Sequence, residues 1–138
     1  MTNNKYNWQK EIEDLHDFFE LWLAAKIEKT ENVYSQFSDA VDDDFSLVGP
    51  SGVSSPRKEL LPALYQAHGK RKNVEIWTKN KKLLFQNNEI LVVSYEEWQL
   101  ENHKELARIS TAVFIIDESK TNGLRWLRVH ETWLAINS

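Results

Sequence analysis

Residues 74–116 read VEIWTKNKKLLFQNNEILVVSYEEWQLENHKELARISTAVFII. Val, Ile, Leu, Phe, Tyr and Trp dominate three long runs that break only at Asn87-Asn88 and Asn102-His103. Runs of β-branched and aromatic residues separated by short Asn-bearing turns are the mark of consecutive antiparallel strands. A fourth run, GLRWLRVHETWLAINS at residues 123–138, follows the polar loop DESKTNG. Each run is about twice the roughly 5–6 residues of an ordinary strand, so the sheet is predicted to be long, antiparallel and strongly curved. A turn centred on Asn102-His103 sets Glu97 opposite Arg108 and Tyr95 opposite Ser110, whereas a one-residue slip would substitute Trp98 and Glu96.

Upstream the period changes. Trp8, Ile12, Leu15, Phe18, Phe19, Trp22, Leu23 and Ile27 recur at three- and four-residue steps, which predicts an amphipathic helix over 8–27. A second helix is predicted from a Thr30 cap through Val41, closed by Asp42, Asp43 and Asp44. FSLVGPSGV then reads as two short strands around Gly49-Pro50-Ser51-Gly52. In SSPRKELLPALYQAHG, Ser54 or Ser55 is expected to cap a third helix, Pro56 to open it, Gly69 to stop it and Pro62 to distort it. Three helices followed by a meander give an α+β protein, with the helices packed on one face of the curved sheet around a tapered space.

The last strand poses its own question. Simple alternation puts Trp126, Arg128, His130 and Thr132 on one face and Leu127, Val129, Glu131 and Trp133 on the other, so both faces carry an aromatic. The first set is expected to look into the tapered space and the second toward a homodimer interface on the outer face of the sheet. Arg128 fits poorly inside unless it finds a carboxylate or the pocket mouth.

Composition bounds the rest. At 138 residues, 41% hydrophobic and 28% charged, the chain is expected to form one domain over 1–138, with disorder confined to residues 1–6. A net charge of −4 argues against a nucleic-acid binder despite the basic runs at 69–73 and 79–82. There is no cysteine, which removes disulfides and thiol chemistry. No apolar stretch is long enough for a membrane span or a signal peptide, so a cytoplasmic location is expected. His16, His68, His103 and His130 form no metal-ligand spacing, and neither a metal nor another cofactor is expected.

The element order resembles the cone of the nuclear-transport-factor-two-like superfamily, also called the cystatin-like fold. Arg108 in RISTAVF and residues 123–131, GLRWLRVHE, are similar to motifs of its SnoaL-like branch, which includes the association domain of calcium/calmodulin-dependent protein kinase II. The resemblance implies a pocket at the cone mouth and commonly a dimer through the outer face of the sheet. It also implies an arginine that accepts carboxylates, a role carried onto Arg108. Where the branch often has a second His two residues after the first, this chain has Thr132.

The candidate ligand-binding residues are therefore Trp22, Tyr95, Glu97, Arg108, Trp126 and His130. Arg108 either grips an anion while Glu97 orients it, or forms a cross-strand ion pair. His130 is either an acid or base or a hydrogen-bonded core or interface residue. Asp42–Asp44 either supply a base or cap a helix in solvent. The expected function is a small-molecule binding protein with an apolar pocket and an anion- or carbonyl-accepting Arg108. Isomerase or cyclase chemistry based on His130 or an Asp, and a homo-oligomerisation module without ligand, are the alternatives; whether the chain is an enzyme stays open.

Overall fold

The computed structural model describes residues 6–136. Helix α1 spans Trp8–Leu23, its first turn capped by the Asn7 side chain, which accepts from the Lys10 amide at 3.1 Å. It buries Ile12, Leu15, Phe18 and Trp22 as one stripe. The helix stops short of Ile27 because Ala25 takes a left-handed conformation at φ 57° and the Lys26 amide turns back onto the Leu21 carbonyl. Helix α2, Glu31–Ser38, starts where expected, with Thr30 Oγ1 accepting from the Val33 amide.

It does not reach Val41. Strand β1, Val41–Val48, begins there and takes in the acidic triplet. Val41 and Phe45 belong to the core, and Asp42 is drawn to Arg125, whose Nε lies 2.6 Å from Asp42 Oδ1. These tertiary contacts outweigh the local preference of three acids for a helix end. Strand β2, Ser54–Pro56, pairs back onto β1, so Ser54 and Ser55 are ladder residues and not caps. Helix α3, Arg57–Gln66, therefore begins without a side-chain cap and contains Pro62. Gly69, at φ 77°, follows it; a Cβ there would meet the Ala25 methyl at 3.3 Å.

The four long strands are β3 (Glu75–Gln86), β4 (Ile90–Glu101), β5 (Lys104–Ile116) and β6 (Leu124–Trp133). They form one open sheet in the order β2-β1-β6-β5-β4-β3, antiparallel except that β1 runs parallel to β6. The β4–β5 hairpin turns through Asn102 and His103, both at positive φ, as a two-residue primed turn requires. That turn fixes the register read from the sequence, with Glu97 opposite Arg108 and Tyr95 opposite Ser110.

The facing of β6 is corrected by a bulge. Phe114 pairs with Trp126 but the preceding Val113 pairs with Arg128, so Leu127 is an extra residue. Parity reverses there. Trp126, Val129 and Glu131 are buried on the cone side, while Arg128, His130 and Thr132 are exposed on the outer face. Trp133 pairs with Arg108 at the cone mouth instead of pointing to the outer face. Arg128 needs no partner inside; it donates to Ser46 Oγ at the surface.

Trp22, Trp126, Tyr95, Phe18 and Phe114 are the largest fully buried side chains, all within the core cluster between α1, α2 and the concave face of the sheet. Truncating Trp126 to Ala is expected to cost roughly 3–5 kcal/mol, measured by denaturant titration.

Candidate functional site

Between α1 and the concave sheet lies a cavity of about 180 Å³. Part of its lining is apolar, including Phe19, Phe37, Phe45 and Leu64. It also carries His16, Glu97, Gln99, Arg108 and Glu131, beside Tyr95 and Trp126. The alternation of β4 delivers Tyr95, Glu97 and Gln99 to this face in sequence.

His16 reaches them from α1. Its Nδ1 lies 2.8 Å from the Ile12 carbonyl and its Nε2 3.1 Å from Glu97 Oε1. The Ile12 carbonyl only accepts, so Nδ1 carries a proton; with the Glu97 carboxyl ionised, Nε2 donates as well and the pair is an imidazolium with a carboxylate. Burial alone would lower the His16 pKa, but the hydrogen bond and charge of Glu97 outweigh it and the value is raised. Burial pushes Glu97 up, yet His16 and then Arg108 and Gln99 hold it at about 2. Gln99 donates to Glu97 Oε2 and accepts from Arg71 Nη2 at 2.8 Å, and Arg71 also reaches Glu101 at 2.9 Å.

Arg108 faces Glu97 across the ladder but bonds elsewhere. Its Nη1 donates to Glu131 Oε1 at 3.2 Å, Ser110 Oγ donates to Glu131 Oε2 at 3.3 Å, and the guanidinium lies over the Trp133 ring. Glu131 has a raised pKa, chiefly from burial and then from the Glu97 charge. Two carboxylates are thus matched by one imidazolium and one guanidinium in a low-dielectric wall, with the Arg108 Nε left buried without an acceptor.

Of the residues singled out from sequence, Tyr95, Glu97, Arg108 and Trp126 line this cavity together. Trp22 is fully buried behind it, donating from Nε1 to the Leu64 carbonyl at 2.8 Å and meeting Phe18 and His68. His130 lies on the outer face, paired with Thr111 and Val48. Three polar participants were not expected: His16, Gln99 and Glu131; Glu11 lies outside the lining and holds Trp126, accepting from its Nε1 at 2.6 Å. His16 carried a signal, because it falls four residues after Ile12 and three before Phe19, inside the apolar stripe. A bulge hid Glu131, and nothing local marks Glu11.

The fold is that of nuclear-transport-factor-two-like proteins. An NTF-2-like protein of unknown function from Pseudomonas aeruginosa superposes with a TM-score of 0.84 at 24% identity, covering 93% of this chain and 98% of that one. The CaMKII hub of S. rosetta superposes at 0.61 and 15% identity, over 91% and 95% of the two chains. The first likeness matches the superfamily and the second the association-domain branch that RISTAVF and GLRWLRVHE resemble.

Sequence relationship narrows the family further. Residues 9–135 match the family described as Sucrose-6-phosphate phosphohydrolase C-terminal. The chain belongs to that family. Sucrose-phosphatase 2 of Nicotiana tabacum is 29% identical over 128 residues, and Probable sucrose-phosphatase 3a of Arabidopsis thaliana 23% over 126. Each alignment covers 90% of this chain but only 30% and 29% of the relative, so the chain spans about a third of the length of these proteins. These matches overturn the expected function of a small-molecule binding protein built on Arg108, together with its isomerase and ligand-free alternatives: they point to a sucrose-phosphatase C-terminal domain. The correction has a physical counterpart in the Arg108 side chain, which is already engaged by Glu131 and Trp133.

Among the described residues no helix is long and apolar enough to cross a membrane.

Proposed function

We propose that this chain, folded as one domain, is the accessory unit of sucrose-6-phosphate hydrolysis, working beside a phosphatase catalytic unit on the same polypeptide or a separate one. The carrying observation is the family match over residues 9–135, which aligns almost the whole chain with about a third of each sucrose-phosphatase. The test mixes the domain with the sucrose-6-phosphate phosphatase catalytic unit of the same organism, or deletes it where the two are joined. Association by light scattering and a changed KM or kcat for phosphate release are expected. Neither association nor any kinetic change would overturn the reading.

The accessory unit is further proposed to pair with a second copy through the outer face of its sheet. Ile109, 40% exposed, and the half-buried Val92, Trp98, Val113 and Ile115 lie on strands β4 and β5, away from the helices. The likeness to the CaMKII hub lends this support at the level of fold. A stable pair would bury about 1,200–2,000 Å² in total. In sedimentation equilibrium the mass is expected at twice the 16.2 kDa of one chain, falling to one chain in Ile109→Lys with the melting temperature little changed. A wild-type monomer at micromolar concentration would remove the pairing and leave the accessory reading standing.

A further inference from the structure

A second concavity, of about 620 Å³, lies outside the cone between α1, α2 and the loop joining β5 to β6. That volume is within the roughly 300–1,000 Å³ of small-molecule sites, whereas the cone cavity is below it. Its wall sets amides and carboxylates, Asn32, Gln36 and Asp39 from α2 and its end, Asp14 from α1 and Asn122 from the loop, beside apolar side chains such as Leu15 and Leu124. The amides and carboxylates offer donors and acceptors side by side, which is what vicinal hydroxyls need.

Asn122 is the built element. It is 8% exposed, and its Nδ2 donates both to Glu11 Oε1 and to Asp14 Oδ2, each at 3.0 Å. Both side-chain hydrogen bonds run through that nitrogen, which leaves the carbonyl oxygen as an acceptor for a ligand hydroxyl. Gln36 is oriented by its Nε2, which donates to the Asp14 carbonyl at 3.4 Å, so its own oxygen is likewise left to a ligand. The charge is lopsided. Among the lining residues Glu11, Asp14 and Asp39 outnumber Lys120, and although Lys10 pairs with Asp14 at 3.1 Å from outside the lining, the balance stays acidic and does not favour a phosphate dianion.

We propose that this groove binds a neutral polyhydroxylated sugar, of the class released when a sugar phosphate is hydrolysed, and discriminates against the phosphorylated form. The idea rests on the accessory-unit reading and gives that unit a task, sensing product beside the catalytic unit that makes it.

The test is a ¹⁵N–¹H NMR titration of the isolated chain with sucrose, sucrose-6-phosphate and inorganic phosphate. Sucrose is expected to give saturable shifts at Asn32, Gln36 and Asn122. Gln36→Ala and Asn32→Ala, both at exposed positions and so compatible with the fold, are each expected to weaken binding about tenfold, the size of one lost hydrogen bond. Sucrose-6-phosphate should bind at least about tenfold more weakly than sucrose. Absence of saturable shifts, shifts unchanged in both variants, or equal or tighter binding of the phosphorylated sugar would overturn the proposal. The measurement needs no catalytic unit, so its failure is distinct from a failure to associate.

Discussion

Glu97→Ala is expected to lower stability by roughly 3–5 kcal/mol near pH 5.5, because it removes one partner of a buried ion pair and strands the other. In a domain of this size that is a fall in melting temperature on the order of 10–20 °C. The pH profile identifies the cause. The Glu97 carboxyl sits at about 2 against an ordinary 4.5, so its contribution is complete above about 4.5 and is lost as pH falls toward 2. The His16 pKa is raised above 6.5, so its contribution is complete below that value and is lost as pH rises through the folded-state pKa. The wild type should be most stable between the two limbs. In Glu97→Ala the acid limb attributable to Glu97 disappears and the His16 limb inverts. Burial then dominates, the imidazole is neutral in the fold, and stability rises with pH through about 6–7. Chemical denaturation at closely spaced pH values reads this directly. A profile that keeps the wild-type shape with a uniform loss would mean that the pair is not an ion pair.

The sheet was legible because its determinants are local. Two Asn-bearing turns fix the β3–β4 and β4–β5 pairings, and the turn at Asn102-His103 alone sets Glu97 against Arg108. The cone followed from helical stripes that precede a meander. What escaped depended on single-residue events or distant partners. The extra residue at Leu127 leaves no mark in composition, yet it moves Glu131 into the cone and His130 out of it. The acidic run 42–44 reads as a helix end until Arg125, far along the chain, claims Asp42. His16 was legible by spacing, since its three- and four-residue steps to Phe19 and Ile12 place it in the apolar stripe although Asp14 and Asp17 flank it in sequence. The functional family was not legible from the motifs that gave the fold, because RISTAVF and GLRWLRVHE describe how β5 and β6 pack, and many activities share that packing.

Arg108→Ala is expected to show the opposite pH behaviour from Glu97→Ala. The substitution removes the 3.2 Å hydrogen bond to Glu131 and leaves a carboxyl that is only 7% exposed, already pushed up by burial and by the nearby Glu97 charge. At pH 7.5 the loss should be about 2–4 kcal/mol, the cost of an uncompensated buried charge. With Arg108 gone, the Glu131 pKa rises further above its unfolded value of 4.5. A raised carboxyl pKa means that the fold prefers the protonated form, so stability returns as pH falls through the folded-state value, and much of the loss should be recovered by pH 5. Arg108→Met combined with Glu131→Gln removes both charges and should cost less at pH 7.5 than Arg108→Ala alone. That order, two substitutions milder than one, is the signature of charge balance in a dry wall. An Arg108→Ala loss that is equal at pH 5 and pH 7.5 would instead assign the residue's contribution to its packing on Trp133 at the cone mouth.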